Sequence, residues 1–172
     1  MKKQIIASIA ATALTAGGLV VATAAPAQAM CPDKTGYTLH ATQVAMPFKH
    51  VKQFKDGKGG KIVVSKSYSG SVSYNVTAGA EAEVGTVFAK AKVSVSSSLT
   101  KTNSTSATHT YEHAISKGKY GHVRYVSWGK RVSWKKWHQV TTSKGCQIKN
   151  LRSGVINFPT KSEGWQYWET KS

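Results

Sequence analysis

At 172 residues, with 24 Lys and Arg against seven Asp and Glu, the chain carries a formal charge of +17 and has length for one modest domain. So few acids leave little room for chemistry run by paired carboxylates. A basic excess of this size instead attracts polyanions and anionic surfaces.

The chain opens with the short cationic head Met1-Lys2-Lys3-Gln4. An apolar, Ala-rich run follows from Ile5 to about Ala24, and then Ala25-Pro26-Ala27-Gln28-Ala29. This order of charge, apolar stretch and small-residue A-x-A site reads as a secretory signal peptide spanning residues 1–29. Pro26 and the Thr and Gly residues argue against a membrane anchor. Met30 beside Cys31, with no Leu three places before the cysteine, argues against a lipidated cysteine. The expectation is an exported protein whose residues 30–172 form a single secreted β domain, with a charge still about +15 after loss of Lys2 and Lys3 from the +17. In an oxidising compartment the two cysteines, Cys31 and Cys146, are expected to pair. Free thiols or a metal pair have no redox motif or cluster of His and Cys to support them.

In chain order, Cys31-Pro32-Asp33-Lys34 reads as a turn and Tyr37 to Val44 as a strand that Pro47 ends. Asp56-Gly57-Lys58-Gly59-Gly60, between Phe54 and Ile62-Val63-Val64, predicts a hairpin turn. It lacks the spacing and the following helix of a phosphate-binding loop. Residues 71 to 84 alternate strictly, Val72, Tyr74, Val76, Ala78, Ala80, Ala82 and Val84 against Ser71, Ser73, Asn75, Thr77, Glu81 and Glu83. The pattern predicts a strand wet on one side. The phase slips at Gly85-Thr86, a bulge or turn signal, and a second strand is expected with Val87, Ala89, Ala91, Val93, Val95 and Leu99 on its apolar face. A turn near Lys101-Thr102-Asn103-Ser104 then leads to a return strand, residues 105 to 115, with Ala107, His109, Tyr111, His113 and Ile115 sharing a side.

From His113 through Ser162 no acid occurs in 50 positions, while eleven Lys and Arg do. Within this tract Trp128-Gly129-Lys130-Arg131 predicts a two-residue hairpin turn that pairs Tyr125 with Trp134 and Trp128 with Arg131. One face of that hairpin holds Val123, Tyr125, Val132 and Trp134, and the other holds His122, Arg124, Val126, Trp128, Arg131, Lys135 and Trp137. Trp134 is expected in the core, and Trp128 and Trp137 are the candidates for the outside. Arg124, Trp128, Arg131, Lys135 and Trp137 form the candidate surface-binding site, because cations attract anionic surfaces while indoles settle at interfaces or stack on sugars and bases. A strand-like Gly154 to Phe158, stopped by Pro159, and the aromatic tail Trp165-Gln166-Tyr167-Trp168 close the chain.

No catalytic constellation emerges. Glu81 and Glu83 stand two apart on an expected solvated strand face, not across a cleft, and no G-x-S-x-G turn is present. His109 and His113 share a strand face without a third ligand, so no metal site and no cofactor is assigned.

Val72-Ser73-Tyr74-Asn75-Val76-Thr77 and Ala91-Lys92-Val93-Ser94-Val95-Ser96-Ser97-Ser98, in a stretch covering about residues 70 to 126, resemble the stalk and insertion strands of aerolysin and epsilon-toxin-type β-pore-forming toxins. The resemblance implies a small pore former. A lipid-facing strand needs about nine to eleven residues with an unbroken apolar face. Residues 85 to 95 supply one, but His109 and His113 interrupt the return strand, so this reading ranks second.

The fold class expected is all-β, an elongated antiparallel sheet or sandwich closed by one disulfide. The function expected first is a secreted, non-enzymatic binding protein. Its partner would be an anionic cell-wall polymer, a membrane surface, or a protein in a secreted assembly, and an oligomer is compatible with each. Nucleic acid rests on charge alone, and export argues against it.

Overall fold

Eight strands and one short helix make up the part of the chain that the computed structural model describes, residues 31–171. The proposed leader lies outside the described residues. The strands are β1 (Lys34–Pro47), β2 (Phe54–Asp56), β3 (Gly60–Ser73), β4 (Asn75–Val76), β5 (Thr102–Ile115), β6 (Tyr120–Thr142), β7 (Gly145–Phe158) and β8 (Glu163–Thr170). Between β4 and β5 lie a 3-10 turn, Glu81–Glu83, and the helix α1, Val84–Ser94. All pairings are antiparallel, and the fold is all-β as expected.

The frame is a six-stranded sheet built on β6. Its 23 residues span about 75 Å at the usual rise of a strand. Along one edge β6 pairs first with β2 and then with β1; along the other it pairs first with β8 and then with β7. β3 and β5 form a separate two-stranded layer.

The two halves of β6 bury opposite faces. In the first half Val123 and Tyr125 point at the β3–β5 layer and join Ile62, Val64, Ile115, Phe48 and Val72 in the core. In the second half Val132 and Trp134 point the other way, toward α1, and pack with Ile156, Phe158, Ala80, Val87 and Ala91. Residues 125 and 132 differ in parity, so strict alternation along a strand requires this change of side. The core crosses the sheet at Val126, Ser127 and Gly129, which are all buried.

This overturns the expected hairpin at Trp128–Arg131. The strand runs straight through Gly129, and Tyr125 and Trp134 lie on one strand, not opposite each other. The true reversal is at Thr142–Gly145, where Gly145 takes a φ of 99°. Gly129 is required for close approach, because a Cβ there would stand 2.5 Å from the Phe158 carbonyl oxygen.

The second correction concerns residues 74 to 95, where strand persists only in the two-residue β4. β3 stops at Ser73, and Val84–Ser94 is helical. Val84, Val87 and Ala91 fall on one helical face and are buried, with Phe88 and Val95 packed alongside. Ala89, Lys90, Ala91 and Lys92 are good helix formers, and Glu81 and Glu83 place negative charge at the helix start. Burial over β6 thus overrides the two-residue period. The cost is visible at Val93, which is 90% exposed. The glycine cluster at 57–60 is a turn, with positive φ at Gly57, Gly59 and Gly60, but it joins strands of different sheets and makes no hairpin.

Cys31 and Cys146 are bonded, with their Cα atoms 5.6 Å apart. The bond ties the start of the described chain to the β6–β7 reversal, and the Cys31 N–H donates to Thr141 Oγ1 at 3.1 Å.

Candidate functional site

Because β6 does not fold back, the five residues of the candidate site divide between two faces. Arg124 and Trp128 share the outer face of the first half of β6, the side away from the β3–β5 layer. Arg131, Lys135 and Trp137 share the outer face of the second half, the side away from α1.

On the first of these faces the β-ladder brings together residues far apart in sequence. His122 pairs with Trp168 of β8, Arg124 with Gln166, and Lys55 of β2 stands on the other side of His122. The His122 and Trp168 rings stack with centroids 5.3 Å apart and planes 9° from parallel. The Arg124 guanidinium lies 5.3 Å from the Trp168 ring centre, while its Nε donates to Gln166 Oε1 at 2.9 Å. Lys55 Nζ sits 4.2 Å and Lys58 Nζ 5.9 Å from the Tyr120 ring centre. The His122 ring is buried and fixed through both nitrogens, to Gln53 at 3.4 Å and Thr170 at 2.9 Å.

Trp128 completes this face. Its backbone is fixed by an N–H to Ser162 O bond of 2.9 Å and by Thr160 Oγ1, which donates to its carbonyl. Its indole lies across Gly164, where a Cβ would come within 3.2 Å of Nε1, and it is half-buried.

The sign of the face follows from strand parity. Glu163 and Glu169 pair with odd-numbered residues of β6 and so turn inward, while Asp56, opposite Gly121, is exposed at the end of β2 with its Oδ1 accepting the Gly57 N–H. Glu163 and Glu169 bond to residues of the β5 side, Thr105 and Ser116. Among the described residues, the outer positions of this register carry Lys55, Arg124, Tyr120, Trp128 and Trp168 and no carboxylate, and Lys58 joins them from the turn after β2. Each cation–ring contact is worth about 0.5–1 kcal/mol at an exposed position, so the rings hold the cations in place without neutralising them.

The second face is broader and more hydroxylic. Thr38, His40, Ser133, Lys135, Ser153 and Val155 line a shallow depression of about 460 Å³. Arg131 and Lys135 are exposed, whereas Trp137 is half-buried with its indole pressed across Gly36, its partner in the ladder. Trp137 is therefore anchored to β1, and Trp134 is buried as expected.

Glu83, expected on a solvated strand, is buried. It accepts hydrogen bonds from the Tyr37 hydroxyl and, at 2.9 Å, from Lys136 Nζ. These bonds hold its carboxyl below the usual range and pin the turn before α1 to the frame. His109 and His113 lie on the inner side of β5, His109 half-buried against Tyr125 and His113 exposed against Tyr167. No group of three or more His, Cys, Asp and Glu suited to a metal ion occurs among the described residues.

Reading the sequence alone misses Lys55, Lys58, Tyr120 and Trp168 as site residues. Alternation in the aromatic tail separates Trp168 from Trp165 and Tyr167, but which strand Trp168 meets is a long-range fact. No protein-family model matches the chain, and no curated protein matches it.

Proposed function

We propose that this protein is a non-enzymatic binding protein that attaches to a polyanionic surface of the cell envelope through the face formed by β2, the first half of β6, and β8. The observation that carries this reading is the gathering of Lys55, Lys58 and Arg124 with Tyr120, Trp128 and Trp168 on a face whose outer strand positions hold no carboxylate among the described residues. Cations at such a surface contribute about 1 kcal/mol each toward an anionic partner. Indoles beside them add contact with sugar rings or the lipid interface. Sedimentation with purified cell wall and, separately, with anionic vesicles distinguishes the two sources of negative charge. Binding is expected at low salt and should fall steeply at about 0.5–1 M salt, where screening shortens to roughly 3–4 Å. No binding to either at low salt would exclude the proposal.

A second reading, a β-pore former, is favoured by one specific observation. Residues 85–95 carry a strand pattern yet Val84–Ser94 is helical, and the connection they belong to joins β3 and β5, whose exposed faces are rows of hydroxyls. Ser65, Ser69, Ser71 and Ser73 of β3 stand opposite Thr110, Ser106, Ser104 and Thr102 of β5. Conversion of the connection to strand would lengthen this hairpin while keeping one polar face, the hydroxyls of Ser71 and Ser73 being followed by Asn75, Thr77, Glu81 and Glu83. His109 and His113 on the opposite face keep the reading second. Release of dye from vesicles together with a detergent-resistant oligomer is its signature, and a monomer that never leaks dye excludes it for the lipids used.

A further inference from the structure

No β-ladder joins β3 or β5 to the six-stranded frame, so side chains carry much of the docking of this layer. At the centre of the interface a ring of hydrogen bonds links β5 to β6 and β8. Tyr125 Oη lies 3.0 Å from His109 Nδ1 and 3.1 Å from Glu163 Oε1. Thr105 Oγ1 lies 3.2 Å from His109 Nε2 and 2.9 Å from the same carboxylate oxygen. Asn103 Nδ2 donates to the other oxygen at 3.4 Å. The imidazole also stacks on the Tyr125 ring, centroids 4.1 Å apart.

Counting hydrogens shows what state completes the ring. Its four contacts need four hydrogens. The two hydroxyls supply one each, an ionised carboxylate none, and a neutral imidazole one. An imidazolium supplies the missing hydrogen. Both ring nitrogens then donate, to Tyr125 Oη and Thr105 Oγ1, and both hydroxyls donate to Glu163 Oε1. A proton on Glu163 would also fill the ring, and the His109 ring-nitrogen shifts in the test below tell the two apart.

We propose that His109 is a proton-controlled latch: protonation closes the ring that clamps β5 onto β6 and β8, and loss of the proton loosens the β3–β5 layer. The groups facing His109 are Glu163 from β8, with its carboxylate 3.9 Å from Nε2, and the Tyr125 phenol from β6. Burial, with Glu163 beside it, pushes that phenol far above its ordinary range, so it remains a donor throughout. Lys66 stands opposite His109 in the β3–β5 register, and His113, further along β5, packs on Tyr111 and Tyr167.

Amide hydrogen exchange on the full chain, with the disulfide intact and rates corrected for intrinsic pH dependence, tests the latch. Protection over residues 102–115 should fall about tenfold between about pH 5.5 and about pH 8, either side of the histidine range, while protection over residues 130–136 holds. His109→Gln should abolish the difference and His113→Gln should retain it. If His109→Gln does not fold, the wild-type ring nitrogens decide. Their NMR shifts should show a doubly protonated His109 at the acid end, lost in step with β5 protection. Equal β5 protection at both pH values, a difference that survives His109→Gln, or a ring transition out of step with β5 would overturn the proposal.

Discussion

Gly129 lies so close to Phe158 that a Cβ on it would stand 2.5 Å from the Phe158 carbonyl oxygen, and 2.7 Å from the Met46 sulfur. The contact fixes the point where the buried side of β6 changes. Gly129→Ala should therefore push β6 off β7 and destabilise the fold by about 2–3 kcal/mol, read from urea midpoints.

Gly85 offers the opposite case. It sits in α1, and nothing lies within 4 Å of where its Cβ would be. Gly85→Ala should stabilise the protein by about 0.5–1 kcal/mol in the same assay. Under the pore-forming reading the same change should slow dye release, because it strengthens the helix that must be lost.

These two glycines show where the sequence is legible. Alternation identifies β1 around Tyr37–Val44 and β5 through Ile115, because both lie with one face on the core and one in water. It misleads over residues 85–95, where Gly85, Ala89 and Ala91 are small enough to suit either period and burial beneath α1 decides. It also misleads at Gly129, where local residues match a tight turn but the glycine answers to Phe158, 29 positions on in the numbering. The chemistry of the candidate site is visible as residue types in one tract. Its division into two faces depends on β6 being straight, and the arrival of Trp168 and Lys55 depends on pairings across the whole chain.

Below the histidine range, acid of carboxylate strength should release two attachments to the frame, the turn before α1 at Glu83 and the end of β5 at Glu169. Glu83 is held below the usual carboxylate range by its hydrogen bonds from Tyr37 and Lys136. Glu169 is held at about 2, first by the Ser116 backbone N–H and then by Lys119, which lies 3.0 Å away. Both carboxyls have folded values below their unfolded ones. Their stabilisation is therefore complete above the ordinary range near 4.5 and is lost as pH falls through the folded values. Urea midpoints should drop between about pH 4.5 and about pH 2, and Glu83→Gln and Glu169→Gln should each flatten that drop.

The Cys31–Cys146 bond closes a separation of 115 residues. In the chain-entropy treatment a loop of that length stabilises by about 4–5 kcal/mol. Reduction, or the paired change to Ser, should lower stability by up to that amount in urea titrations. The loss of exchange protection should begin at the β6–β7 reversal and the start of β1, the two places the bond joins.

Whether the outer face of β2, β6 and β8 makes the contact is settled by comparing two charge reversals of equal size. Lys55→Glu/Lys58→Glu alters that face, and Arg131→Glu/Lys135→Glu alters the other, with the same change in net charge. Affinity for the anionic surface that the wild type binds should be measured at low salt for all three proteins. The account predicts a loss of about tenfold or more for the first pair and a much smaller loss for the second. Equal losses for the two pairs would mean that overall charge, not this face, drives binding, and would contradict it.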